Sequence, residues 1–150
     1  MPRAGLGRGR VVGRASYLAD TSAFAHLSKP IVTAAFAPMI AQGLVAVCAP
    51  VVFELGYSAR NLADHQAIMS GLDAFETVPV TDGDHRRALA LQQLLAERGQ
   101  HRALSLVDAL VAACAESRSL AVLHYDADFE LVANLTGQAQ RWIVARGTAD

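Results

Sequence analysis

The sequence predicts an α/β fold, a three-layer α/β/α sandwich with a mainly parallel central sheet. Short apolar runs alternate along the chain with longer segments whose apolar residues recur at helical spacing. At 150 residues the chain has the length of one domain. Strands that are separated by helices favour parallel pairing, because each helix returns the chain across the sheet.

The first element is a strand that ends at an acid. The apolar run 15–19 stops at Asp20, and the two hydroxyl residues that follow are typical of a helix start. Apolar residues at helical spacing then predict a helix over 31–42, which a glycine ends. The apolar run 44–48 predicts a second strand.

The middle of the chain is mainly helical. Pro50 suits the first turn of a helix, where its missing N–H costs nothing, and the helical pattern continues to residue 60. Residues 61–75 predict a further helix, and residues 76–80 a short extended segment. Residues 81–99 predict a long amphipathic helix that ends at a glycine.

The C-terminal part returns to strands and helices in alternation. Residues 105–117 predict a helix that is apolar on most of its surface and therefore buried. Residues 120–124 predict a buried strand that leads into Asp126. A helix over 128–134 and a strand over 140–144 complete the predicted sheet.

The N-terminal residues differ in composition from the rest. Arginines and glycines dominate residues 1–15, which predicts a flexible arm, and residues 16–150 form the domain. No apolar segment follows the arginines before Asp20, so the arm does not resemble a secretory signal. The best apolar run, 44–53, is shorter than the roughly 20 residues of a membrane span and contains a proline. We therefore expect no membrane association.

Composition and cysteine use favour a cytoplasmic protein that has a partner. Cys48 and Cys114 are isolated in apolar stretches, which predicts buried free thiols in a reducing compartment. The chain is 53% hydrophobic and 18% charged, so apolar surface is available for a partner. Its net charge of −1 provides no overall attraction to nucleic acid, so any such binding must be local.

Four acids stand in positions where a carboxylate needs an explanation. Asp20 and Asp126 each follow a predicted strand, and the carboxyl ends of parallel strands form the site of open α/β sheets. Glu54 and Asp108 lie within strongly apolar helices, where an ionised group is seldom buried without a partner. One shared site for all four acids is the simplest explanation.

Each acid also has a structural alternative. Asp20 and Asp126 are suited to cap a helix. Glu54 could reach solvent, or its negative charge could be stabilised by the positive N-terminal end of the helix that begins near Pro50. Asp108 follows Ser105 at the spacing of a capping box, in which the acid returns to the cap amide. If the four acids do not share a site, all of these structural alternatives must be true at the same time.

A shared acidic site requires positive charge. Two carboxylates about 4 Å apart repel by roughly 4 kcal/mol at an effective dielectric constant near 20. The only lysine of the chain, Lys29, lies away from all four acids, so a divalent cation is the simplest counter-charge. Oxygen ligands favour Mg²⁺ or Mn²⁺, and the five histidines form none of the spacings typical of structural zinc.

Four segments resemble a known family. They are YLADTSAFAHL (17–27), VVFELGYSAR (51–60), SLVDALVAACA (105–115) and VLHYDADFE (122–130), and together they are similar to the PIN-domain ribonuclease toxins of the VapBC type II toxin–antitoxin family. The resemblance implies a metal site at the acids that match the family pattern: Asp20, Glu54, Asp108 and Asp126. It also matches Ser22, and less closely Thr21, to hydroxyl residues that support a carboxylate or a bound water. Asp128 extends the pattern as a further candidate ligand or as a first-turn acid of its helix.

The resemblance further implies a magnesium-dependent endoribonuclease that cleaves structured RNA such as tRNA. Water activated by the cation would attack the phosphodiester, which predicts 5′-phosphate and 3′-hydroxyl ends. A VapB-type antitoxin and a homodimer are the expected partners, with the helices around 31–42 and Glu54 as candidates for an antitoxin groove. Arginine side chains near the helices would either bind RNA phosphates or remain solvated on the surface. The candidates are Arg60, Arg86, Arg87, Arg98 and Arg102.

Two other functions fit part of the pattern. A PIN fold that binds RNA or protein without cleaving it would keep the same acids. A receiver-like signalling domain also binds Mg²⁺ at strand ends, but it assigns no role to a helical Glu54, and the chain lacks a suitable lysine after a late strand.

Overall fold

The chain folds around a central sheet in the computed structural model, which describes residues 15–150. Within that part of the chain the sheet has five strands, all paired in parallel. They are β1 (Tyr17–Ala19), β2 (Val45–Cys48), β3 (Glu76–Val78), β4 (Ala121–His124) and β5 (Gln140–Trp142). The predicted parallel sheet is confirmed.

Seven helices connect and follow these strands within residues 15–150. They are α1 (Thr21–Ala25), α2 (Pro30–Ala41), α3 (Ala49–Tyr57), α4 (Leu62–Leu72), α5 (Asp82–Ala96), α6 (Leu106–Ser117) and α7 (Asp128–Thr136). Pro30 and Pro50 lie in the first turns of α2 and α3, where a missing N–H leaves no bond unmade. None of the helices in the described range is long and apolar enough to cross a membrane.

The strands are ordered β3-β2-β1-β4-β5 across the sheet. Leu18 of β1 pairs with Ala46 of β2 on one side and with Val122 of β4 on the other. The chain therefore builds the sheet outward from β1 in one direction and then in the other. The switch of direction falls between β1 and β4.

Apolar side chains cover both faces of the sheet. Successive strand residues point to opposite faces, and the core is accordingly divided. Leu18 and Val122 pack in a cluster with residues of α6 and α7, whereas Ala19 and Leu123 pack with residues of α1 and α2. Helices on both faces make the three layers that the sequence predicted.

A buried acid and an arginine join α5 to α6. Asp84 is only 2% exposed and forms a capping box with Thr81 at the start of α5. Arg118, directly after α6, donates to Asp84 Oδ2 at 3.1 Å. The start of α5 therefore lies beside the end of α6. Leu95, near the end of α5, lines one cavity with Leu106 in the first turn of α6.

Two further predictions concern the cysteines and the arm. Cys48 and Cys114 are both buried and free, as the sequence predicted. The predicted N-terminal arm, residues 1–15, lies outside the described residues except for Ala15, which packs against the core.

Candidate active site

Two neighbouring strands end near aspartates at the switch point of the sheet. β1 pairs with β2 on one side and β4 on the other. Asp20 directly follows β1, and Asp126 lies two residues after β4. The carboxyl ends of strands at such a switch point border a crevice in open α/β sheets. The topology thus places both acids at the edge of the sheet where sites are found.

Asp20 uses one carboxylate oxygen and leaves the other unbonded. Oδ2 caps α1 by accepting the N–H of Ser22 at 3.0 Å. Oδ1 is buried and has no hydrogen-bond partner among residues 15–150. Burial raises the pKa of Asp20, although hydrogen bonds with Ser22 oppose that increase. The capping role therefore leaves one buried oxygen for a ligand.

Asp108 begins a helix without completing a capping box. Its N–H donates to Oγ of Ser105, the N-cap of α6, at 3.1 Å. In a full capping box the third-position carboxylate also accepts the cap residue's backbone N–H. The structure forms that return bond at Asp84 in α5 but shows none at Asp108 within the described chain. The carboxylate of Asp108 is therefore not used by the cap amide.

Three carboxylates gather beside the crevice. Asp108, Asp126 and Asp128 are half-buried, and each offers one oxygen within 4.8 Å of the others. Burial, followed by the negative charges of Asp20, Asp126 and Asp128, raises the pKa of Asp108 to about 7, although the Ser105 hydroxyl opposes the increase. Burial and the charge of Asp126 also raise the pKa of Asp128. These three carboxylates need positive charge to be ionised together.

Glu54 lies outside that group of three but is tied to the same edge of the sheet. Thr21 Oγ1 donates to Glu54 Oε1 at 2.5 Å. Thr21 is the first residue of α1 and follows Asp20 directly. The half-buried carboxylate of α3 is therefore oriented by a residue adjacent to the switch point.

Ser22 links the two strand ends. Its Oγ accepts the N–H of Tyr125 at 2.9 Å, and its own backbone N–H donates to Asp20 Oδ2 at 3.0 Å. The residue after β1 and the loop after β4 are thus joined through Ser22.

His124 supports Asp126 and was not among the candidates from the sequence. It is fully buried at the end of β4, and its Nδ1 accepts the N–H of Asp126 at 3.1 Å. The Oδ1 of Asp126 accepts the N–H of Asp128 at 2.9 Å. A polar residue that ends an apolar strand two positions before an acid is the sequence signal for this contact.

Two of the candidate RNA-binding arginines are engaged in ion pairs. Arg87 makes a two-bond pair with Glu116, with Nε–Oε1 at 2.6 Å and Nη2–Oε2 at 3.0 Å. Arg60, which precedes α4, pairs with Asp64 in the first turn of α4 at 3.2 Å, although the side chain of Arg60 is largely exposed.

The other three candidates are exposed but differ in position. Arg86 lies two residues after Asp84, near the end of α6 that is farther from Asp108. Arg98 and Arg102 lie in the connection that leads into α6, whose first turn carries Asp108. Of the five arginines, these two are exposed and also lie in the chain segment that leads to Asp108 at the acidic edge of the sheet.

The donor set fits a divalent cation. Carboxylate oxygens are the ligands that Mg²⁺ and Mn²⁺ prefer, and the cluster within residues 15–150 contains no histidine or cysteine. The unbonded Oδ1 of Asp20 and the raised pKa of Asp108 both indicate a site where a cation would relieve an electrostatic cost. A divalent cation bound by acids at such a switch point could polarise a phosphate ester and activate a water.

Comparison with known proteins defines the family. The PIN domain family matches residues 17–135. The chain is 48% identical over 134 residues to "Ribonuclease VapC51" of Mycobacterium tuberculosis, covering 89% of this chain and 97% of that protein. The chain therefore belongs to the PIN-domain family, and within it the chain is similar to VapC ribonucleases. This membership does not support the receiver-like alternative.

Solved structures share this fold. A DNA-bound VapBC from Salmonella typhimurium is 20% identical and has a TM-score of 0.70, covering 87% of this chain and 99% of that chain. VapBC-5 from Mycobacterium tuberculosis, a member of the VapBC family of toxin–antitoxin systems, is 27% identical with a TM-score of 0.57. The latter match covers 85% of this chain and 97% of that chain.

Proposed function

We propose that this chain is the toxin of a VapBC-type pair and an Mg²⁺- or Mn²⁺-dependent endoribonuclease that cleaves structured RNA, with tRNA as the first candidate. One observation carries the proposal: three carboxylates lie within 4.8 Å of one another beside the switch point of a PIN domain. The 48% identity to a protein named as a ribonuclease supports the reaction class.

Asp108, Asp126 and Asp128 would bind the cation, and Asp20 and Glu54 would complete the acidic set. A divalent cation in such a site supplies positive charge to phosphate oxygens and lowers the pKa of a bound water. The residues of this chain prepare the site. Burial and the neighbouring acids raise the pKa of Asp108 to about 7, so its carboxyl holds a proton more readily than an exposed aspartate does. Binding of a cation displaces that proton, so affinity for the cation falls as the solution is acidified.

RNA cleavage in the presence of each cation tests the reaction. The purified chain is incubated with total tRNA and Mg²⁺ or Mn²⁺, beside Asp108→Asn and a chelator control. Asp73→Asn is the matched control, because Asp73 is an exposed acid before the amino end of β3, at the opposite edge of the sheet. We expect cleavage by the wild type and the Asp73 variant only, with 5′-phosphate ends. Primary products with 2′,3′-cyclic phosphates would contradict hydrolysis by water.

Cation binding separates the enzyme from a binding-only PIN domain. Calorimetric titration with Mn²⁺ should show binding that Asp108→Asn weakens and Asp73→Asn leaves unchanged. Mn²⁺ binding without cleavage of any structured RNA would favour the alternative function, RNA or protein binding without turnover. Absence of Mn²⁺ binding by the folded wild type would overturn the metal-dependent proposal.

An apolar groove supports the proposed antitoxin partner. Residues of α1, α2, α3 and α4 line a cavity, among them Phe24, Ile40, Leu55, Ile68 and Leu72. Both helical regions expected from the sequence contribute to this lining. An amphipathic antitoxin helix would bury its apolar face there. Hydrogen exchange of the chain co-expressed with its antitoxin should show protection along this groove, and protection confined to other surfaces would contradict the assignment.

Exposed apolar side chains support a homodimer. Phe53 is 75% and Tyr57 85% exposed, one turn apart on α3. Large apolar groups at such exposure indicate a surface that another chain covers. Light scattering of the purified chain should give twice the monomer mass of 15.9 kDa, and a strict monomer at micromolar concentration would exclude the dimer. A cytoplasmic location, where the two free thiols stay reduced, completes the proposal.

A further inference from the structure

His124 is the only fully buried histidine among the described residues, and both of its ring nitrogens have partners. Nδ1 lies 3.1 Å from the backbone nitrogen of Asp126, and Nε2 lies 2.6 Å from Oε1 of Gln140. The ring also packs against Phe129 and Trp142, with ring centroids 5.1 and 5.0 Å away. The imidazole therefore bridges the loop after β4 to the neighbouring strand β5.

The two contacts define one tautomer. A backbone N–H can only donate, so Nδ1 must be unprotonated to accept from Asp126. The proton is then on Nε2, which donates to the carbonyl oxygen of the Gln140 side chain. A proton on Nδ1 would place two donors against each other. Gln140 thus sets which nitrogen faces the acidic loop, although it lies on β5 and is not part of the acidic cluster.

We infer that His124, fixed in its Nε2–H tautomer by Gln140, is a positioning residue for the Asp126 and Asp128 carboxylates. The chain of contacts is continuous. Gln140 orients the imidazole, the imidazole accepts the N–H of Asp126, and Asp126 Oδ1 accepts the N–H of Asp128 at 2.9 Å. Partners that orient ligands in this way change metal affinity by about 10–100-fold when they are removed. This inference rests on the proposed cation site, and it adds a determinant outside the set of acids.

Two substitutions at His124 separate positioning from packing. His124→Phe keeps an aromatic ring against Phe129 and Trp142 but cannot accept the N–H of Asp126. His124→Asn loses the ring, but its Oδ1 lies near the place of Nδ1 and can accept that N–H. Positioning predicts Mn²⁺ binding at least about tenfold weaker in the Phe variant and close to wild type in the Asn variant. A packing role predicts the reverse order, with the Asn variant the more affected.

Gln140 offers an independent variant with a matched control. Gln140→Leu removes the acceptor for Nε2–H, so we expect weaker Mn²⁺ binding without any change in the acidic residues. Gln138→Leu is the control: Gln138 Nε2 donates to the backbone oxygen of Ala112 at 3.0 Å, whereas within residues 15–150 the ring nitrogens of His124 bond Asp126 and Gln140 instead. Equal Mn²⁺ affinity in the wild type and Gln140→Leu would overturn the role of Gln140.

A metal-free measurement decides the tautomer. Nitrogen-15 spectra of the histidine ring distinguish Nε2–H from Nδ1–H, and we expect Nε2–H at His124; Nδ1–H would overturn the inference. Unfolding midpoints are recorded for every variant, because a positioning role requires the affinity order to differ from the stability order. If the wild type binds no Mn²⁺, the proposed function fails. If the wild type binds and the Phe variant binds equally well, only the positioning inference fails.

Discussion

Replacing Asp108 by asparagine should stabilise the metal-free chain at high pH. Burial and three neighbouring acids raise the pKa of this carboxyl from 3.8 to about 7. The folded state therefore binds the proton more tightly than the unfolded state does. Stability from this group is fully present below pH 3.8 and is lost as the pH rises through about 7.

The magnitude follows from the pKa difference. A fully shielded carboxyl shifted this far would change the free energy of unfolding by about 4 kcal/mol over the whole pH range. Asp108 is only half-buried, so solvent screening reduces this to about 2 kcal/mol. Between pH 5 and pH 8, Asp108→Asn should gain about 1.5 kcal/mol relative to the wild type. This corresponds to about 3–6 °C in the unfolding midpoint of a chain of this size.

Urea unfolding with a chelator, at pH 5 and at pH 8, measures this difference. Asp73→Asn, which removes an exposed acid, should show no such dependence on pH. A stability difference between Asp108→Asn and wild type that is the same at both pH values would refute the electrostatic reasoning. Addition of Mn²⁺ at about 100 times its Kd should stabilise the wild type by about 2.7 kcal/mol and the variant by less.

Three further substitutions test separate parts of the structure. Thr21→Val removes the hydrogen bond to the Glu54 carboxylate, which should reduce kcat/KM for RNA cleavage by about tenfold, or about 1.5 kcal/mol. The control variant Thr33→Val loses only a hydrogen bond to a backbone carbonyl and should cleave normally. Arg118→Met leaves Asp84 buried without its ion pair, so urea unfolding should show a loss of about 3 kcal/mol; a loss below about 1 kcal/mol would mean that the pair adds little. Arg102→Gln should reduce the slope of log affinity for RNA against log salt by about one, while Arg87→Gln, already paired with a carboxylate, should not; equal slopes in binding titrations would exclude Arg102 from the RNA surface.

Strand and helix order could be predicted because each element has a local signal. The apolar run before Asp20 and the apolar run before Asp126 are short and bounded, and the segments between them have helical spacing. Parallel pairing follows from that alternation. The strand order across the sheet could not be predicted. After β3 the chain returns to β1 and adds β4 on the free side of β1, and this placement depends on how α6 packs on the sheet.

The arginines show where sequence reasoning ends. Arg87 and Arg102 are both on polar faces near helices, and the sequence treats them alike. In the structure Arg87 makes two bonds with Glu116, a residue 29 positions away, whereas Arg102 is exposed beside the start of α6. A contact over that separation depends on how α5 packs on α6. The contact of His124 with Gln140 could not be predicted for the same reason, because Gln140 lies on another strand.

The difference between Asp84 and Asp108 shows how the fold gives one sequence pattern two roles. Each aspartate is the third residue of a helix whose N-cap is a hydroxyl residue. Each donates its backbone N–H to that hydroxyl, at 3.1 Å in both cases. Asp84 has Arg118 beside it, so its ionised carboxylate is compensated and free to complete the cap. Among residues 15–150, Asp108 faces acids rather than an arginine, and its carboxylate has a raised pKa and makes no return bond to the cap. The charge of the surroundings, not the local pattern, therefore separates an acid that stabilises the fold from one that is available to a cation.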